Sequence, residues 1–285
     1  MPEGDTIFRT AVRLRPVLVG RRIASADAGQ HPDVDVEPLG GQVVSCIEAR
    51  GKHLLIHVEH GLAIHSHMGM TGSWHCYREH EAWQKPRHRA ALVLTMQVFP
   101  QQDNGAPVDS IGHGDPCTVA VCFSPKLLEV LSPIQLRRHR WLTHLGPDLL
   151  GADWSIDEAI RRLRWHEASS MGEAIMNQSI VCGIGNIYKS ETLFVTRSNP
   201  FLEVAGYDDT QLREIVSSAR YLMLRNTGGH PRRTRTAGTG PKMWVYGRSG
   251  QPCLVCGQAI QMRHQGDLGR STYFCPACQM VNDHP

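Results

Sequence analysis

Four cysteines near the end of the chain restrict it most. They read Cys253-Leu-Val-Cys256, then eighteen residues, then Cys275-Pro-Ala-Cys278. A Cys-x-x-Cys turn presents two thiolates to one ion, and two such turns about 15–20 residues apart supply the tetrahedral ligand set of a zinc ribbon. Four protein ligands leave no open coordination position, so one structural zinc ion is expected to fold the tail and to take no part in chemistry. Arg270 precedes the second ligand pair, which puts a guanidinium on a rigid hairpin.

The other five cysteines, Cys46, Cys76, Cys117, Cys122 and Cys182, are scattered and odd in number. Free thiols in a reducing, cytoplasmic compartment explain them better than a disulfide framework. The start, Met-Pro-Glu-Gly-Asp-Thr, lacks the basic and apolar regions of a signal peptide. No apolar run approaches the roughly 18 residues of a membrane span, so no membrane partner is expected. Charge is uneven. Residues 210–270 hold ten Lys/Arg against two acids, a net +8, in a chain whose total is +3, which leaves −5 for the rest. Such asymmetry points to a polyanion, with a solvated charged face as the plainer alternative.

Three regions follow from the patterning. Residues 6–19 read as an amphipathic helix capped near Asp5-Thr6, its apolar positions being Ile7, Val12, Leu14, Val17 and Leu18. From about 22 to 131, short apolar runs (43–44, 53–58, 63–64, 90–98, 118–123) between Gly, Pro and Asp clusters predict a strand-rich sandwich or barrel. Residues 100–117 look like a long polar loop. After Leu145-Gly-Pro-Asp148 the pattern turns helical, over 156–165, 171–178, 187–195 and 210–225. Residues 226–242 read as a flexible basic linker. The fold class is therefore α+β. The expected domains are a β-sandwich flanked by helices over 1–132, a helical domain over 145–227, and a zinc hairpin module over 243–285.

Several residues could carry chemistry. Removal of Met1, expected before a small residue, would expose the Pro2 amine. An α-amino group has a pKa of about 7.7–8.0, so part of it is a neutral nucleophile able to form a Schiff base. Glu3 beside it could donate or accept a proton. Taken alone this is also how ordinary chains begin. Arg50-Gly51-Lys52 precedes a strand and places Lys52 at a tight turn, either functional or simply exposed. His65 and His67 lack a nearby third ligand and read as sheet residues with satisfied hydrogen bonds. Met70, between two glycines, could be an apolar wedge for a base stack or a core side chain. In Asn177 to Glu191, Gly183 and Gly185 separate two helices. They would let backbone N–H groups face an anion, with Asn186 capping the second helix and holding the same phosphate.

These segments together resemble the formamidopyrimidine-DNA glycosylase and endonuclease VIII family of DNA repair enzymes, nearly end to end. The resemblance rests on Pro2-Glu3-Gly4, Arg50-Gly51-Lys52, the helix–two-turns–helix segment 177–191, and the stretch from Gly269-Arg270 to Gln279. It implies a glycosylase with abasic-site lyase activity acting on double-stranded DNA with a damaged base or abasic site, and a monomer is expected. No organic cofactor is called for. By the same resemblance Pro2 displaces the base at C1′, and Glu3 helps open the deoxyribose ring. Lys52 contacts phosphate and assists β-elimination, Asn186 binds phosphate at the lesion, and Arg270 clamps phosphate and aids δ-elimination. Met70 fills the gap left by the extruded base.

The start resembles the endonuclease VIII branch, which implies oxidised pyrimidines. The Arg-Arg-Phe-Gly stretch of the purine-repairing branch has no counterpart in Val121-Cys-Phe-Ser-Pro-Lys-Leu-Leu. A purine-lesion glycosylase and a non-catalytic zinc-ribbon nucleic-acid binder are the competing readings. Glu173, an acid on the first helix of the two-turn motif and near the expected phosphate, has no role in either reading.

Overall fold

A computed structural model of the chain describes residues 2–29, 31, 33–97, 118–236 and 239–280. All of the expected loop 100–117 therefore lies outside the described residues. Two compact units are present: residues 1–2 with 10–139, and residues 3–9 with 140–285.

The first helix, α1 (Gly4–Leu18), runs through both sets of residues. Its buried stripe is Ile7, Ala11, Leu14 and Leu18, spaced by four, three and four, while Val12 is exposed. The helix starts earlier than its sequence pattern predicts. The Glu3 carbonyl accepts from the N–H groups of Thr6 and Ile7, so Asp5 lies inside the first turn and does not cap it.

The first unit holds two four-stranded antiparallel sheets. One orders β1 (Ile23–Asp27), β6 (Ala90–Met96), β7 (Val119–Phe123) and β5 (Ser73–Tyr77) as β1-β6-β7-β5. The other orders β2 (Val44–Arg50), β3 (His53–Val58), β4 (Ala63–His67) and β8 (Leu127–Leu131) as β2-β3-β4-β8. Trp74 of β5 donates its indole N–H to Ser66 of β4 at 3.0 Å, one polar tie between the two sheets. Strands β1, β5 and β8 fall within the strand-rich region without a distinct run of their own in sequence: Ile23–Asp27 and Ser73–Tyr77 hold few aliphatic residues, and Leu127–Leu131 is mostly apolar without alternation. Helix α2 (Pro133–Arg137) follows β8 and is opened by a reciprocal cap between Ser132 and Gln135.

The second unit is helical, with a small hairpin. Its elements are α3 (Ile156–Arg164), α4 (Met171–Ala174), α5 (Asn186–Val195), α6 (Asp209–Leu224), β9 (Gln261–Gln265) and β10 (Arg270–Phe274). Ser155 caps α3, and Asp208 with Gln211 forms a capping box on α6. Ile160, Leu163, Ile180, Leu193, Leu212 and Val216 share the core of this unit. Helix α4 stops four residues short of its expected end at 178. Asn177 accepts from the N–H and hydroxyl of Ser179, and Gln178 bonds the backbone at Met176, Gly183 and Ile184. Side chains that compete for backbone groups in this way turn the helix off. They build the two turns before α5.

Candidate active site and zinc hairpin

Glu3 is fully buried. Its carboxylate accepts from the backbone N–H groups of Gly185 and Ile187 at 2.9 Å each and of Tyr188 at 3.3 Å. These are the donors that an α-helix leaves unsatisfied in its first turn, and they carry the positive end of the helix dipole. The loop before α5 does face an anion, as its glycines indicated. The anion is the chain's own Glu3 and not a phosphate. The Gly4 N–H donates to the Gly183 carbonyl at 2.9 Å, so the two segments are stitched on both sides.

The two glycines act differently. Gly183 has φ 109°, in the region that favours glycine. Gly185 is extended at φ −123°, and its reason is space. A Cβ there would lie 2.6 Å from the Glu3 carboxyl carbon.

Asp5, also fully buried, takes both Nε and Nη2 of Arg232 in a forked ion pair. Glu191 of α5 is buried too. It accepts from the N–H groups of Trp244, Val245 and Tyr246 at 2.7, 2.8 and 2.7 Å and from the Thr234 hydroxyl. The segment 226–236 is thus tied down and not a free linker. Asn226 bonds the Leu222 carbonyl and both backbone groups of Arg233, and the Thr234 N–H reaches the Lys242 carbonyl. Part of the +8 charge is spent inside the fold, since Arg232 and the buried Arg248 pair with protein groups. Arg225, Arg233 and Lys242 stay exposed and, with Asn226 and His230, line a recess of about 430 Å³.

Asn186 is the first residue of α5; its cap position is Gly185, with no side-chain capping bond. The expected helix cap at Asn186 is therefore replaced by Glu3. The Asn186 amide donates to the Ser271 hydroxyl at 3.3 Å, and its Oδ1 is buried without a partner. Arg270 opens β10, after a turn held by Gly266 (φ 70°) and Gly269 (φ 55°). Its Nε likewise has no partner. Lys189, one turn into α5, is 1 % exposed and donates to the Thr272 hydroxyl at 2.6 Å. Burial, then the nearby Arg270 charge, pushes its pKa down to about 8. Nothing in the motif signalled this residue. Glu173, unexplained in sequence, accepts from Ser170 and packs under Gly266 of the hairpin turn.

The zinc ligands converge. All four sulfur atoms lie within 4.8 Å of one another, with Cys253–Cys278 at 3.9 Å and Cys256–Cys275 at 3.4 Å. Zn–S bonds of about 2.3 Å in a tetrahedron need sulfur separations of about 3.8 Å, so this set fits one structural zinc ion. The knuckles are backed by Gln279, which accepts from the Cys275 N–H and donates to the Ser198 carbonyl, both at 2.9 Å. Phe194 of α5 packs with Val245, Ile260 and the cysteines. Zinc therefore holds β9–β10 against α5, and with it Arg270.

Lys52 and Met70 belong to the first unit. Gly51 (φ 58°) and Lys52 form the turn that pairs Arg50 with His53. Burial, then neighbouring imidazoles and Lys52, lowers the His53 pKa to about 3; burial, then Lys52 and Lys126, lowers that of His67 to about 4. Both rings are neutral at pH 7 and lie within the reach of the Lys52 charge. Met70 is 73 % exposed at the tip of a turn closed by the Gly72 N–H on the Met68 carbonyl, whereas Met68 is the buried one. The core reading of Met70 is thereby excluded.

The chain matches three family models in order: the formamidopyrimidine-DNA glycosylase N-terminal domain over residues 1–106, its H2TH domain over 145–229, and the zinc finger found in FPG and IleRS over 250–281. It is 36 % identical to a probable endonuclease 8 2 of Streptomyces coelicolor, covering 98 % of this chain and 94 % of that one. It is 33 % identical to the DNA-(apurinic or apyrimidinic site) lyase Nei2 of Mycolicibacterium smegmatis, covering 99 % and 100 %. The MutM (Fpg) crystal structure from Thermus thermophilus shares the fold, with a TM-score of 0.75 at 24 % identity over 98 % of both chains. The buried Glu3 on the α5 terminus, the four-cysteine hairpin and these matches lead to one conclusion: the chain belongs to the formamidopyrimidine-DNA glycosylase and endonuclease VIII family of DNA glycosylases with lyase activity.

Proposed function

We propose that this glycosylase and lyase excises oxidised bases, pyrimidines foremost, from double-stranded DNA through a Schiff base on the Pro2 amine. The observation that carries the reading is the lock on Glu3. Three backbone N–H groups fix its carboxylate, so the residue bonded to it is presented from a rigid base. Rigid placement of the attacking atom is worth several kcal/mol of barrier.

In the processed chain the neutral Pro2 nitrogen attacks C1′. The bond from C1′ to the base breaks, and the base leaves with the bonding pair and takes up a proton. Ring opening protonates O4′, assisted by Glu3, and leaves an iminium at C1′. Loss of a C2′ proton expels the 3′ phosphate, assisted by Lys52, and a second elimination expels the 5′ phosphate, assisted by Arg270. Asn186 and Arg270 hold phosphate; the unpartnered Asn186 Oδ1 and Arg270 Nε leave this pair incompletely satisfied within the protein. Met70 occupies the space of the extruded base.

The pyrimidine preference rests on the Pro2-Glu3-Gly4-Asp5 start and on higher identity to relatives named endonuclease 8 (35–36 %) than to those named formamidopyrimidine-DNA glycosylase (27–30 %). The enzyme acts as a monomer in the bacterial cytoplasm. Among the described residues no helix is long and apolar enough to cross a membrane.

Sodium borohydride with abasic-site duplex tests the chemistry. Wild type should give a covalent adduct, and Pro2→Gly or retained Met1 should abolish or strongly reduce it. Absence of the wild-type adduct rejects the mechanism. Duplexes with thymine glycol, dihydrouracil or 8-oxoguanine test the preference; faster release of the purine would reverse it.

A further inference from the structure

A second group of metal-type side chains lies in the first unit, far from the four cysteines in sequence. His65 of β4 stands directly opposite Glu129 in the β4–β8 ladder, and directly opposed residues project from the same face of a sheet. The short α2 then turns the chain back, and His139 reaches the same carboxylate. Glu129 Oε1 is 2.7 Å from His65 Nδ1 and 2.7 Å from His139 Nε2. The three ligand atoms all lie within 4.8 Å of one another. The His65 side chain is fully buried and that of His139 is 9 % exposed, while Glu129 is 31 % exposed and gives the cluster an opening to solvent.

We propose that His65, Glu129 and His139 form a second metal site, which takes a divalent transition-metal ion of the Zn²⁺ class. Two imidazoles and one carboxylate are a borderline donor set that suits such ions, with water filling the open position. A ligating imidazole needs its other nitrogen held, and here His53 Nδ1 lies 2.8 Å from His65 Nε2. With the His65 proton on Nε2, donated to His53, the Nδ1 lone pair faces the cluster. Binding then requires the other neutral tautomer of His65, of His139 and of His53, whose Nδ1 becomes the acceptor, with no net loss of protons from any ring. Metal bonds of about 2.0–2.1 Å in a tetrahedron separate donor atoms by about 3.3 Å, so Glu129 must withdraw by about 0.6 Å from each ring. It is the partly exposed member of the three, with room to do so. The metal-free alternative is two imidazole N–H groups sharing one carboxylate oxygen, and it predicts no ion uptake. The ion would cross-link β4, β8 and the segment after α2, and stabilise the first unit. Its solvent opening makes it exchangeable, unlike the ion held by four thiolates.

The test is cobalt titration of the full-length protein after its metal has been stripped with a chelator under reducing conditions, followed by absorption and by metal analysis after gel filtration. Wild type is expected to bind two equivalents. One shows the thiolate charge-transfer band, and the other shows only the weak ligand-field bands of nitrogen and oxygen ligands. Glu129→Gln and His139→Ala should each lose the second equivalent, or weaken it by 10–100-fold, with the thiolate band unchanged. With the four-thiolate site already filled by one equivalent of Zn²⁺, further Zn²⁺ should raise the wild-type melting temperature and leave that of both variants unmoved. The retained thiolate band reports a folded hairpin in the second unit, and cooperative melting of the variants reports a folded first unit, which holds Glu129 and His139. One equivalent in the wild type, or a second equivalent that survives in both variants, overturns the proposal.

Discussion

The Glu3 carboxylate and the Gly185 backbone N–H meet at 2.9 Å across 182 residues of chain. The residue next to Pro2, the proposed nucleophile, is thus the anion that satisfies the start of α5. If Pro2 is the nucleophile, as proposed, one side chain sets helix geometry and nucleophile placement together, and damage to either should appear in the other.

Gly185→Ala tests that coupling. The new methyl group would meet the Glu3 carboxyl at 2.6 Å, so one of the two segments must shift. A shift near 1 Å at a reacting centre costs on the order of 10²-fold in rate, and overpacking costs about 1–3 kcal/mol of stability. Borohydride trapping rate and urea denaturation measure both. A variant with wild-type trapping would show that Glu3 need not be held.

Glu191→Ala should be among the most destabilising single changes in the second unit. It leaves the N–H groups of Trp244, Val245 and Tyr246 and the Thr234 hydroxyl without their shared acceptor. Unsatisfied buried donors cost about 1–3 kcal/mol each, with partial relief from water, so a loss of about 3–5 kcal/mol is expected. Denaturant midpoints check it, and a loss below 1 kcal/mol would mean that these groups find other partners.

Lys189 gives the protein a stability term with a defined pH window. Its pKa is pushed down to about 8 from 10.5, by burial first and Arg270 second. The unfolded chain then holds this proton more tightly, so the contribution is unfavourable at pH 7 and is relieved as pH rises from about 8 to 10.5. Lys189→Met should gain about 1–3 kcal/mol at pH 7 and lose this part of the rise. Parallel stability–pH curves for the two proteins would refute it.

Removing zinc, or changing Cys275 to Ser, should free the hairpin that carries Arg270. The expected result is weaker binding to abasic DNA, a salt slope shallower by about one phosphate contact, and loss of δ-elimination product. The isolated Pro2 amine should still react with a small aldehyde. Unchanged DNA affinity after metal removal would separate Arg270 from DNA.

Met70→Ala should cost less than about 0.5 kcal/mol of stability, because the side chain is 73 % exposed. Excision from duplex DNA should slow, while reaction at a ready-made abasic site in single-stranded DNA should not. Equal slowing on both substrates would remove Met70 from base extrusion.

The spacing of Cys253, Cys256, Cys275 and Cys278 determined the zinc hairpin by itself, because two close pairs of thiolates are already most of a tetrahedral site. Gly51-Lys52 and the apolar run after it likewise determined a turn and a strand, and the ordered motifs determined the family. Local patterns do this well, since helix and strand periods are properties of neighbouring residues. Which partner a buried charge takes is not such a property. Only the tertiary structure gave the α5 terminus to Glu3 and not to phosphate, closed Asp5 on Arg232 instead of on its own helix, and turned part of an apparent basic tract inward. The same holds for His65, which lacked a third ligand in sequence and gains Glu129 and His139 through the β4–β8 register and the turn of α2. A buried polar group must find a partner to offset its lost hydration, and which partner is within reach is decided by how distant strands and helices pack.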